Sequence, residues 1–301
     1  MDASPGPALI VGLFLVGPLV VVPLGLWLIP SPAAARAGRL LRLARLAALP
    51  AGLMLAAAFL SEPGPVPGLL TVPWLATATV AALAASLGGI EVIRDHRFLQ
   101  PGTQHAVWAS LAFLAVAAGN ALADRLGVQP FGFASVIILL TAVHFTFAGF
   151  VLVIVGTLAH AAAPARLAAA GVAGVILGIP VTAVGFFGVE AAALGGALLV
   201  AAGGAAIGGT LLRLAATDSD PRVRWLRRLA GASLMLSMPL AVVYAVGAAV
   251  GTTWLDLPTM ARTHGALNVV GFALPATLAL AVERLAGSVP RGSQGTAHVD
   301  R

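Results

Sequence analysis

Apolar runs of about twenty residues follow one another along this chain, separated only by short polar breaks. In hydrocarbon no water satisfies the backbone, so such a run is stable only as a helix that bonds its own N–H and C=O groups. The chain has 301 residues, 59% of them hydrophobic and 9% charged. Soluble domains carry about 25% charged residues, so this chain lacks the polar surface that a water-soluble fold requires. The expected fold class is an all-α, polytopic transmembrane helix bundle of about nine spans.

The first run covers 8–29. It sits where a signal peptide would, but its N-terminal flank carries Asp2 and no arginine, and the run exceeds the ~7–15 apolar residues of a signal segment. A retained helix is therefore expected, although the small residues Ala33 to Ala37 resemble a cleavage site. Further helices are predicted over 46–61, 70–93, 105–123, 131–159, 166–187, 190–212, 229–250 and 265–283. The stretch 166–212 is long enough for two spans, with a turn near Gly185-Phe186-Phe187-Gly188. Residues 1–285 then form the transmembrane domain, and 286–301 read as a disordered cytoplasmic tail.

All seventeen basic residues are arginine, and the formal net charge is +6. With the N-terminus outside, Arg36, Arg39, Arg42 and Arg45 fall in the first inner loop, Arg94 and Arg97 in the second and Arg166 in the third. Arg213, Arg222, Arg224, Arg227 and Arg228 fall in the fourth, and Arg284, Arg291 and Arg301 in the tail. Only Arg125 and Arg262 lie outside. This is the asymmetry of the positive-inside rule, and it places the C-terminus inside a bacterial cytoplasmic membrane. Arginine facing an anionic leaflet explains the basicity without a nucleic-acid partner. With no cysteine there is no disulfide, thiolate metal site or cysteine nucleophile.

Against this apolar background a few polar groups stand out. His144 lies within Thr141-Ala142-Val143-His144-Phe145-Thr146-Phe147-Ala148-Gly149-Phe150, and no other ionisable residue occurs from Phe131 to Ala159. An intramembrane imidazole either ties two helices together or serves a functional site. Helical spacing puts Thr141, His144, Phe147 and Ala148 on one face. His264 and Asn268 are one turn apart, Phe272 continues their row, and Gly265 and Gly271 let a neighbouring helix approach. Glu190 follows Gly185-Phe186-Phe187-Gly188-Val189. It is either an acid favoured by a helix dipole or a partly desolvated proton donor beside aromatic rings. Asn120, Asp124 and Arg125 end one helix, and Trp254 and Asp256 lie in the last outer loop; Asp124–Arg125 and Asp256–Arg262 read as interfacial ion pairs. If Glu190, His144, His264 and Asn268 converge with Phe147, Phe186, Phe187, Phe272, Trp254 and Asn120, they form an aromatic pocket with few polar groups, the make-up of a small-molecule site.

The segments His144-Phe145-Thr146-Phe147-Ala148-Gly149-Phe150 and Thr263-His264-Gly265-Ala266-Leu267-Asn268-Val269-Val270-Gly271-Phe272 resemble the YndJ-like family of bacterial multipass membrane proteins. The resemblance is carried better by the C-terminal two-thirds than by the N-terminal third, and it implies a family with a nominal transporter label. In size, hydrophobicity and sparse buried acids the chain is also similar to the small membrane-bound terpene cyclases of actinobacterial meroterpenoid pathways. That similarity implies an enzyme acting on a lipophilic isoprenoid, without metal or cofactor. Glu190 would protonate the substrate, His144 or His264 would tune the acid or take the final proton, and the phenylalanines would stabilise the cation. The alternatives are a transporter of a small apolar solute and a haem protein with His144 and His264 as axial ligands. The unequal depths estimated for the two histidines count against the haem.

Overall fold

The computed structural model describes residues 6–32, 35–94, 103–162 and 166–288. Among these residues there is no β-strand, and nine helices are long and apolar enough to cross a membrane. They are α1 Ala8–Leu28, α2 Ala35–Ala58, α3 Pro65–Gly88, α4 Gln104–Leu126, α5 Ser135–Ala162, α6 Arg166–Gly185, α7 Glu190–Thr217, α8 Pro221–Ala249 and α9 Leu257–Gly287. The ambiguous stretch therefore resolves into two spans, turning at Phe186–Val189. The predicted arginine loops prove to be partly helical. Arg36, Arg39, Arg42 and Arg45 ride on the first turns of α2, and Arg222, Arg224, Arg227 and Arg228 on those of α8. Arginine is a good helix former, so a helix need not stop where the apolar run stops. Asp220 starts α8 by accepting the Arg222 N–H at 2.7 Å, with Pro221 at the first helical position. Ala286 to Ser288 continue the last helix, and the rest of the expected tail, 289–301, lies outside the described residues.

Sequential helices pack as neighbours, and α5 lies at the centre, touching α1, α4, α6, α7 and α9. It is the most enclosed span: 61% of its apolar window is buried, against 33–44% for the others. Phe14, Val21, Val22 and Leu26 of α1 are buried in the same core as Phe150, Ile154 and Phe272. Backbones approach through glycine. A Cβ on Gly203 of α7 would lie 2.5 Å from the Gly171 carbonyl of α6, and one on Gly271 would lie 2.3 Å from Ser233 Oγ of α8. Gly271 thus provides the close approach its sequence context predicts, whereas a Cβ on Gly265 would meet Leu13 at an ordinary 3.4 Å and the Met260 carbonyl at 3.7 Å. Small residues are the usual contact surface where helices associate in lipid.

Three spans widen into π-helical turns: α1 at Gly17–Val21, α5 at Phe145–Leu152, and α9 at Ala261–Gly265 and Leu267–Ala273. These segments pack on one another. In α1 and α9 a proline follows, Pro23 and Pro275, whose missing N–H and ring clash disturb the preceding turn. α5 contains no proline, and there side chains bond the backbone around the turn. Thr141 Oγ1 donates to Ile137 O at 2.7 Å and Thr146 Oγ1 to Ala142 O at 2.8 Å, while His144 Nδ1 lies 2.7 Å from Leu140 O. Each competes with a backbone N–H for the same carbonyl, which loosens the helical ladder.

Candidate functional site

His264 and Asn268 belong to a closed set of bonds between α8 and α9. The Nδ1 of His264 is 2.9 Å from the Ser237 carbonyl oxygen. Asn268 Nδ2 donates to the His264 carbonyl at 2.7 Å, and its Oδ1 accepts from Ser237 Oγ at 3.2 Å. Both ends of the Asn268 amide are satisfied, which removes the desolvation cost of a buried amide. A carbonyl can only accept, so Nδ1 of His264 carries the proton. In the neutral ring, Nε2 is left with its lone pair.

His144 has the same chemistry by a different route. Its Nδ1 bonds the Leu140 carbonyl of its own helix, so its Nε2 also keeps the lone pair. The ring is exposed, and that of His264 is half-buried. The two imidazoles are close enough for their charges to interact. They also lie at similar depth. At about 1.5 Å per residue His144 is ~14 Å below Ser135 and His264 ~10 Å below Leu257, on helices that run the same way. The unequal depths expected from the apolar runs came from starting α5 at Phe131 and α9 at Gly265. The loop through Phe133 delays α5, and the Asp256 cap starts α9 two turns earlier.

The remaining predicted residues divide among other places. Phe147 and Phe272 are buried in the core, Phe147 beside Gly17 of α1. The π turn that begins after His144 breaks the regular face expected to hold His144 and Phe147 together. Glu190 is exposed at the start of α7, so it lacks the desolvation a proton donor would need. Phe186 and Phe187 are exposed in the adjoining turn. They stack edge-to-face with Phe133, and Phe187 also with Phe131, at 5.5–6.2 Å between centroids. Trp254 is exposed against Gly247, and Asn120 Nδ2 bonds the Val116 carbonyl at 3.0 Å. The single aromatic pocket expected around Glu190 is thus two sets of rings, one in the core and one at the rim.

Of the two predicted ion pairs, Asp124–Arg125 is present at 2.6 Å; it is buried, with Arg125 also bonded to the Ser61 carbonyl and set over Phe59. Asp256 instead caps the start of α9, accepting the Thr259 N–H at 2.7 Å, with Arg262 only at electrostatic range. Ser237 was not singled out in the sequence. Its signal is a hydroxyl two residues before Pro239 in an apolar run, a place where proline leaves backbone acceptors short of donors.

No curated protein and no solved structure matches the chain. Nothing in these comparisons supports the likeness to terpene cyclases. The YndJ-like protein family matches residues 12–272, which extends the resemblance through the N-terminal third as well. The chain, with nine membrane-length helices among its described residues and both histidine segments inside the matched region, belongs to the YndJ-like protein family.

Proposed function

We propose that this is a membrane-embedded haem-binding protein, in which His144 and His264 would hold the iron through their Nε2 atoms. One observation carries the reading. Both imidazoles fix their Nδ1–H on a backbone carbonyl, on packed parallel helices at like depth, and so hold an Nε2 lone pair each. A carbonyl bond to the distal ring nitrogen is the usual support of a metal-bound histidine, setting its tautomer and orientation. Among the described residues no three His, Cys, Asp or Glu side chains cluster. A haem iron needs only two ligands from the protein, because the macrocycle provides four. When bound, such a group supplies one-electron chemistry; the protein orients the imidazoles and keeps them in a low-dielectric setting. The full chain, produced with ample haem and purified in lipid nanodiscs, should show a Soret band, lost in both His144→Ala and His264→Ala. A colourless wild-type protein of normal yield would overturn the reading.

The exposed ring of His144 favours a second reading, in which an accessible imidazole and a half-buried one act as acid and base on a lipophilic substrate. This keeps the enzymatic expectation but moves it away from Glu190. A host supplied with isoprenoid precursors should then yield a product isomeric with its precursor, absent from the two histidine variants and unaffected by Glu190→Gln. Identical extracts by mass spectrometry would end it.

A further inference from the structure

The end of the bundle opposite the histidines carries a groove of about 430 Å³ where α1 gives way to α2, lined by Ser31, Pro32, Ala35, Gly38, Arg39, Arg42 and Arg45. Among the described residues, three guanidinium groups and no carboxylate line it. Arg45 is committed: it donates to the carbonyls of Leu26 (2.9 Å) and Ile29 (2.5 Å) and to Ser31 Oγ (3.1 Å), closing the C-terminal end of α1. Arg284 reaches the same end of α1, on the Trp27 carbonyl and over the Trp27 ring, and its charge repels that of Arg45. Arg39 and Arg42 are exposed, and among the described residues neither has an acidic partner. Positive charge is thus concentrated in a concave site that holds no carboxylate among the described residues lining it. From the groove, exposed Leu43, Leu46, Leu49 and Leu53 continue along α2, the first two lying one turn beyond Arg39 and Arg42.

We propose that this groove binds a phosphate-bearing anion, specifically the headgroup of an anionic phospholipid whose acyl chains lie along the leucine ribbon of α2. Guanidinium forks match phosphate oxygens, and a span end is where lipid phosphates sit. The ribbon is what favours a lipid over a free anion, because a free phosphate has no use for it.

The test uses the full chain in nanodiscs containing equal amounts of phosphatidylglycerol and phosphatidylcholine, followed by native mass spectrometry of lipid retained after release. Wild type should keep phosphatidylglycerol, and Arg39→Gln/Arg42→Gln should lose it by about 30-fold, at roughly fivefold per basic residue near an anionic surface. Arg36→Gln, which removes a charge from the same helix outside the groove, should change retention little. Equal retention of both lipids by wild type, or an equal loss in Arg36→Gln, would mean diffuse surface charge and would overturn the site. Displacement of the lipid by millimolar inorganic phosphate would overturn the lipid assignment in favour of a small anion. Arg39 and Arg42 make no bond to another described residue, so the double variant should melt as wild type does and its outcome be readable.

Discussion

The two ends of the bundle treat buried polar groups in opposite ways. At the arginine-rich end Arg227 is almost wholly buried. It bridges Asp218 at 2.5 Å and Glu283 at 2.6 Å, tying the α7–α8 turn to the last turns of α9. Each charge of this triad is used up on another. Toward the opposite end, Ser237, His264 and Asn268 satisfy one another, yet the chemistry stops one valence short: His264 keeps Nε2, and His144 beside it keeps its own. A polar group whose bonds are all taken holds helices together. One oriented by its neighbours and left with a lone pair is placed for a ligand.

This contrast can be broken most severely at Arg227. Arg227→Met should leave two carboxylates facing each other without a cation, at a cost of ~3 kcal/mol. The value belongs at the low end because Glu283 is partly exposed. Melting in nanodiscs should show it, and Asp218→Asn/Arg227→Met/Glu283→Gln should restore most of the loss. If the single variant melts as wild type, the network holds nothing. The next effect is at Asn268. Asn268→Ala removes both of its bonds and leaves Ser237 Oγ with only its 3.3 Å bond to the Leu234 carbonyl, so a loss of about 1–3 kcal/mol is expected, together with weaker haem retention.

The two histidines sharpen the comparison. His264→Ala breaks a bond between helices and should lower stability by about 1 kcal/mol, whereas His144→Ala breaks a bond only within α5 and should leave the melt nearly unchanged. Both should abolish the Soret band. A His144 variant that destabilises as much as the His264 variant would make His144 a helix tie, the structural role its sequence also allowed. The smallest effect is at Asp256. Its hydrogen bonds to Thr259, together with the charge of Arg262, hold its carboxyl below the usual aspartate range. A depressed carboxylate stabilises above its unfolded pKa and loses that contribution as pH falls through the folded value. Asp256→Ala should therefore melt below wild type at about pH 7, and the difference should shrink as pH falls below the ordinary aspartate value of 3.8.

Much of this arrangement was legible in the residues, because bilayer physics acts locally. An apolar run must be a helix wherever it is placed, so nine spans and the arginine asymmetry follow from composition along the chain. His144, His264 and Asn268 were visible because a polar side chain in such a run is conspicuous, and Gly271 because a missing side chain in a span has few uses other than close contact. Helix ends were less legible. Arg36 to Arg45 and Arg222 to Arg228 look like loop but extend helices, since a helix leaves the membrane without stopping.

What only the tertiary structure decided is which of these groups meet. Glu190 and His264 are equally prominent as letters, yet one stands exposed at a helix start and the other is bonded to Ser237 on a neighbouring helix. The π turn that follows His144 accompanies Thr141 and Thr146 hydroxyls bonding backbone carbonyls, and the regular helical spacing assumed in reading a sequence leaves it out. Hydropathy depends on each residue's own transfer from water, so the chain alone determines it. Convergence depends on the packing of helices far apart in the chain, through contacts such as Gly203 on Gly171 and Gly271 on Ser233, and so belongs to the fold.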